Sequence, residues 1–148
     1  MMGELLNEQI EGQVREVFSE LKDPIHVLFF GKEDGCDYCA DTRQLLSEVT
    51  ALSDKISFST YDVEQDAELA RQYHVDKTPG IVIAGMEDGK TVDYGIRYAG
   101  IPAGHEFTSL INDFIMVSKR DSSLGPEARK YLAGLDKPVH MQVFVTPT

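Results

Sequence analysis

The sequence predicts an α/β domain: a mixed central sheet with helices on both faces, preceded by an N-terminal helix. Three observations carry this expectation. The run IHVLFFG, residues 25–31, is nearly continuous apolar, which suits a strand covered on both faces. Strand-like runs then alternate with helical patterns, and two strands joined through a helix pair in parallel. Finally, Asp88-Gly89 is a hairpin signal between two strand-like runs, which adds an antiparallel pair.

Each element follows from local pattern. Over residues 4–21, Leu6, Ile10, Val14, Val17, Phe18 and Leu21 fall on one helical stripe. Asp23-Pro24 ends that helix, because a residue before proline is pushed out of the helical region. After IHVLFFG comes the loop GKEDGCDYC, then ADTRQLLSEVTAL as a helix with Leu45, Leu46, Val49 and Leu52 inward. ISFSTYDV (56–63) is a second strand and DAELARQYHV a short helix. GIVIAG after Lys77-Thr78-Pro79 is the third strand, and TVDYGIRYAG the fourth, where Gly95 and Gly100 suggest a bulge or a close approach by another chain. GHEFTSLINDFIMV closes the unit as a helix with Phe107, Leu110, Ile111, Phe114 and Ile115 on its apolar side. The expected unit spans residues 1–119, and residues 120–148 form a linker, a short helix (GPEARKYLAGL) and a strand (PVHMQVFV).

Composition narrows the function classes. At 148 residues the chain buries enough surface to fold without disulfide staples. A net charge of −11 argues against nucleic acid and anionic membranes as partners. No stretch reaches the roughly 18 apolar residues of a membrane span. The N-terminus lacks the pattern of a signal peptide, and two cysteines make a poor secreted scaffold. The expected setting is cytoplasmic, where a cysteine pair is more often catalytic or metal-binding than structural.

Cys36 and Cys39 are the only cysteines, separated by Asp37 and Tyr38. A zinc site needs about four ligands, and His26, His74, His105 and His140 are scattered, so no metal site is expected within one chain. A C-x-x-C at a strand-to-helix junction is instead a dithiol redox signature. Cys36, placed at the helix N-terminus, would be favoured as thiolate by free N–H groups and the helix dipole. It would attack a substrate disulfide, and Cys39, one turn further on, would resolve the mixed disulfide. Asp37 puts a negative charge beside the Cys36 thiolate, which argues for a higher thiol pKa and a more reducing pair. Tyr38 reads as a surface aromatic next to the substrate groove. No cofactor is expected beyond the redox-active pair itself.

The order of elements, with Cys36-Asp37-Tyr38-Cys39 after the first strand and Thr78-Pro79 before the third, resembles the thioredoxin superfamily. The resemblance implies that Pro79 is cis, that the Thr78 backbone pairs with bound substrate, and that Tyr98-Ala99-Gly100 lines the same groove. A thioredoxin also carries a buried acid in the first strand; counting back six positions from Cys36 gives Phe30 instead. Glu33, Asp34 and Asp62 lie near, the last read as a turn or cap residue.

A narrower likeness rests on RYAGIPAGHEFTSLINDFI and on an internal repeat. LKDPIHVLFF (21–30) and LDKPVHMQVF (135–144) match in helix end, proline, histidine and strand. Together these resemble the protein disulfide oxidoreductases, glutaredoxin-like proteins of archaea and thermophilic bacteria with two tandem thioredoxin-fold units and a C-x-x-C in each. The N-terminal region of alkyl hydroperoxide reductase flavoproteins is a relative in which the first unit lacks the pair. The likeness covers the first unit and the first strand of the second; at the repeat offset a second pair would begin at or just after position 149. It implies protein disulfide substrates and recharging by a thioredoxin-reductase-like flavoenzyme. The alternative is a thioredoxin-fold binding or scaffold module with weak redox activity. The final strand, 138–145, is expected to pack on the first unit or to drive self-association.

Overall fold

The structure, a computed structural model, describes residues 5–146. Position 4, where the opening helix was expected to begin, lies outside the described residues. Helix α1 spans Glu8–Phe18. It starts there because the Asn7 side chain accepts the amide of Ile10 at 2.9 Å, closing the first turn. Val14 and Phe18 on its stripe, with Leu6 before it and Leu21 after it, are buried.

Strand β1 (Ile25–Gly31) is followed by α2 (Cys39–Thr50), β2 (Ile56–Asp62), α3 (Ala67–Gln72), β3 (Gly80–Glu87), β4 (Lys90–Ala99) and α4 (His105–Lys119). The sheet order is β2-β1-β3-β4. β1 and β2 run parallel, from Ile25 beside Ile56 to Gly31 beside Asp62. β3 is antiparallel to both β1 and β4.

The near-continuous apolar run of β1 reflects a sheet covered twice. Side chains alternate across a strand, so Val27 and Phe29 face one layer and Leu28 and Phe30 the other. On the first face they join Val14 and Phe18 of α1, Leu46 and Val49 of α2, and Leu110 and Phe114 of α4. On the second they meet Ala70 and Tyr73 at α3, with Val82 and Ala84 of β3. The clusters confirm helices on both faces. Ser118 ties α4 to the entry of β1: its hydroxyl accepts the Lys22 amide at 2.7 Å and donates to the Asp23 carbonyl at 2.7 Å.

β4 carries a bulge at Gly95. Between the pairs Ile83–Ile96 and Gly85–Val92, two steps on β3 face four on β4. Gly95 sits at φ +88°, where a side chain is disfavoured, and its amide donates to Asp93 Oδ1 at 2.9 Å. Arg97 braces the bulge against the end of α3. It donates to both Asp93 oxygens at 2.8 and 2.6 Å and to the Tyr73 carbonyl at 2.7 Å.

Beyond Lys119 the sequence expectation holds only in part. Helix α5 forms at Pro126–Ala133 but buries no residue. The expected strand does not form: residues 138–146 have no regular secondary structure. Val139, Met141, Val143, Phe144 and Val145 are 65–89% exposed, so this segment does not pack on the first unit. A strand exists only through hydrogen bonds to a neighbour, and no strand among the described residues takes 138–146 as one.

Candidate active site

Four loops converge at one end of the sheet. β1 and β2, running parallel, end at Gly31 and Asp62; β3, antiparallel to β1, begins at Gly80 beside Phe30; β4 ends at Ala99 beside Gly80. The cysteine loop, the Asp62–Asp66 turn, Thr78-Pro79 and Gly100 therefore leave the sheet at the same end.

Cys36 and Cys39 are joined in a disulfide with their Cα atoms 5.5 Å apart. Cys36 is half-buried, whereas Cys39 is 6% exposed. The helix starts one residue before the expected ADTRQLLSEVTAL run and does not reach back to Cys36. Cys39 is the first residue of α2 and Tyr38 its N-cap, so Cys36 stands just before the helix rather than at its first turn, and Cys39 is not a turn inside it. The cause is local. Gly35 at φ +71° turns the chain, and the Tyr38 carbonyl is the first acceptor of the helix, taking the Thr42 amide at 2.9 Å and its hydroxyl at 2.6 Å. Thr42 is fully buried, which anchors this start. Asp37 is exposed, and Tyr38 is 58% exposed.

The Thr78–Pro79 peptide is cis. Pro79 is buried and Thr78 half-buried. The Pro79 carbonyl accepts the Gly100 amide at 2.8 Å, which brings these two predicted site residues together. Gly100 itself adopts φ +113°, a conformation that suits glycine. Among the described residues the Thr78 backbone makes no hydrogen bond.

A cleft of about 520 Å³ borders the disulfide on the β2 side. Both cysteines line it, over a floor that includes Phe29 and Gly31; its walls include Lys32, Glu33, Arg43, Thr60, Asp62 and Asp66. Thr78, Pro79, Tyr38 and Gly100 do not line it. β1 has β2 on one side and β3 on the other, so the cysteines lie between this cleft and the Pro79 loop. Sequence reasoning missed Arg43, Thr60 and Asp66, which are distant from the cysteines or unmarked by any motif. The signal that could have found them is the edge position of β2, which leaves Thr60 exposed beside the cysteine loop.

No acid of β1 lies beneath the cysteines. Phe30, six positions before Cys36, faces the opposite layer, stacked on Tyr61 with centroids 5.2 Å apart. The face toward Cys39 carries Phe29 and Gly31: a Cβ on Gly31 would stand 3.4 Å from Cys39 Sγ. Asp62 behaves as a turn residue, Oδ1 accepting the amides of Glu64 and Gln65 at 2.8 and 3.0 Å. Near the Gly100 end, the Tyr98 hydroxyl donates to Asp113 Oδ2 at 2.5 Å. Burial first, then the adjacent carboxylate, pushes the Tyr98 phenol above its ordinary value.

Among the described residues, no cluster of three or more His, Cys, Asp or Glu side chains could hold a metal ion. Nor is any of their helices long and apolar enough to cross a membrane.

No family model matches the chain. Among curated proteins, an alkyl hydroperoxide reductase component of Pseudomonas aeruginosa is 25% identical over 141 residues, 95% of this chain and 24% of its own length. A solved protein disulfide oxidoreductase from Aeropyrum pernix superposes with a TM-score of 0.74 at 25% identity, over 87% of this chain and 55% of that one. The N-terminal domain of alkyl hydroperoxide reductase from Enterococcus faecalis superposes with a TM-score of 0.77 at 24% identity, over 89% and 62%. The chain thus spans about a quarter of the length of the curated relatives it matches. It is a thioredoxin-like unit, similar to a protein disulfide oxidoreductase and to the N-terminal domain of alkyl hydroperoxide reductase, with its C-x-x-C closed as a disulfide.

Proposed function

We propose that this chain is a dithiol-disulfide oxidoreductase that reduces, forms or exchanges protein disulfides through Cys36 and Cys39. The observation that carries the reading is the asymmetry of the pair: a half-buried Cys36 ahead of the helix and a Cys39 only 6% exposed. In the reductive direction the Cys36 thiolate attacks one sulfur of a substrate disulfide. The Cys36–substrate bond forms, the substrate bond breaks, and the departing thiolate takes a proton from solvent. Cys39, deprotonated, then attacks Cys36 Sγ, releasing the second substrate thiolate and restoring the protein disulfide. The substrate gains two electrons and the protein loses them. Thr78 supplies backbone groups for an extended substrate, while Pro79, Tyr38 and Gly100 shape the groove. Asp37 tunes the Cys36 thiol.

The electron-carrying group in this reading is the cysteine pair alone, with no added cofactor or metal. Its partners are protein disulfides and a thioredoxin-reductase-like flavoenzyme that returns electrons to the pair, in a cytoplasmic setting. Similarity to alkyl hydroperoxide reductase supports the general kind of partner. Insulin reduction with dithiothreitol tests the proposal: the wild type accelerates precipitation of the freed chains, and Cys36→Ser does not.

A second reading is favoured by the exposed faces of α5 and residues 139–145: a thioredoxin-fold binding module, self-associating through 138–145. Equal insulin rates for wild type and Cys36→Ser would select it.

A further inference from the structure

The cleft on the β2 side has no part in the mechanism above, yet both redox cysteines line it. Its volume, about 520 Å³, lies within the range of small-molecule sites, roughly 300–1,000 Å³. Its walls carry charges of both signs. Arg43 and Lys32 have no hydrogen-bond or ion-pair partner among the described residues. A free guanidinium is suited to grip a carboxylate through two hydrogen bonds. Asp62 gives Oδ1 to the Glu64 and Gln65 amides, and Asp66 gives Oδ2 to the Asp62 amide. The remaining oxygen of each is open to an ammonium donor, and Glu33 adds a third carboxylate to the rim.

The charge pattern selects among small disulfides. A purely anionic one meets Glu33, Asp62 and Asp66 in a chain of net charge −11. A purely cationic one leaves Arg43 and Lys32 unpaired. A ligand with a carboxylate and an ammonium beside each sulfur satisfies both sets. We infer that the cleft between α2 and β2 is a subsite for small zwitterionic disulfides of the cystine type, reached from the flank opposite Thr78-Pro79. The inference rests on the dithiol reading of Cys36 and Cys39. The reduced protein's Cys36 thiolate attacks a cystine sulfur, forming the mixed disulfide and expelling one cysteine thiolate, which is protonated by solvent. Cys39 loses its proton to solvent and attacks Cys36, expelling the second cysteine. One cystine becomes two cysteines as the protein dithiol becomes a disulfide. A dithiol reductant, dithiothreitol in the assay, resets the protein.

The test is a single turnover. Protein reduced and freed of reductant is mixed anaerobically with cystine, cystamine or dithiodiglycolate, and closure of the pair is followed by alkylation and mass. Each rate is divided by that of the same disulfide with free mercaptoethanol, which removes intrinsic reactivity. The expected normalised order has cystine first. Arg43→Gln slows cystine about tenfold more than cystamine, the size of one lost charge-assisted hydrogen bond. Thr60→Trp, which fills the cleft from the exposed edge strand, lowers the ratio of cystine to insulin rates. Equal normalised rates for the three disulfides, or variants that act on all substrates alike, overturn the subsite while insulin reduction leaves the dithiol reading standing. A wild type that reduces neither insulin nor any small disulfide overturns the dithiol reading itself.

Discussion

Replacing Gly80 with alanine sets a gain in the unfolded chain against a clash in the folded one. Its backbone lies outside the left-handed region, so alanine can adopt it, and the stiffer unfolded chain stabilises by about 0.4–1 kcal/mol. Against this, the new Cβ would stand 2.5 Å from Val75 Cγ1 and 2.8 Å from the Lys77 carbonyl oxygen. That carbonyl is backbone of the loop leading into Thr78-Pro79, so it yields only if the loop moves. Overpacking costs about 1–3 kcal/mol, and a clash with rigid backbone places this case in the upper part, about 2–3 kcal/mol, leaving a net loss of about 1–2.6 kcal/mol. With a urea m-value of about 2 kcal/mol/M, the midpoint falls by about 0.5–1.3 M. If Thr78 pairs with the substrate chain as proposed, the displaced loop also raises KM for insulin. Gly12→Ala is the control: it lies in α1 with nothing within 4 Å of the new methyl, and it gains about 1 kcal/mol. Urea denaturation followed by circular dichroism reads both. A Gly80→Ala protein as stable as wild type, with unchanged KM, refutes the reasoning.

Three further predictions follow from single side chains. His26 sits half-buried between Thr91 Oγ1 at 2.7 Å and Ser59 Oγ at 2.8 Å, and burial lowers its pKa below the ordinary 6.5. The stability it contributes is present above the unfolded value and lost as pH falls through that value toward the lower folded one. His26→Asn should flatten this limb in denaturation midpoints measured across pH, and an unchanged limb counts against the assignment. Arg97→Lys keeps the charge but loses the two-pronged grip on Asp93 and the Tyr73 carbonyl, with an expected loss of about 1 kcal/mol in urea; equal stability would show the brace to be idle. Asp37→Pro removes a negative charge beside Cys36 and should raise the reduction potential on the order of 20 mV, read by alkylation in dithiothreitol buffers. No shift, or a downward one, contradicts the tuning role.

Much of the first unit was legible because its signals are local. The uninterrupted apolar run of β1 predicted a strand covered twice, and the clusters on its two faces bear this out. Asp88-Gly89 marked the β3–β4 hairpin correctly, and Gly95 its bulge. What was lost depends on long-range geometry. Cys36 stands ahead of the helix rather than in its first turn because of a turn at Gly35 and the anchoring of buried Thr42, neither visible in the C-x-x-C spacing. Residues 138–145 have strand composition, yet a strand needs a hydrogen-bonded neighbour that the described residues do not provide. The cleft joins Lys32, Arg43, Thr60 and Asp66 from separate elements, so no motif could announce it. Counting back to Phe30 found no acid, but the strand pleat shows that Phe29 and Gly31, not Phe30, face Cys39.

In the proposed mechanism labour is divided, with Cys36 as nucleophile and Cys39 as resolver, and trapping tests this division. Cys39→Ser and Cys36→Ser proteins, each reduced, are incubated with insulin and analysed by mass under non-reducing conditions. A lasting mixed disulfide on Cys36 is expected in Cys39→Ser, and little adduct in Cys36→Ser, whose remaining thiol is only 6% exposed in the wild-type fold. Faster or equal trapping by Cys39 in the Cys36→Ser protein would contradict it.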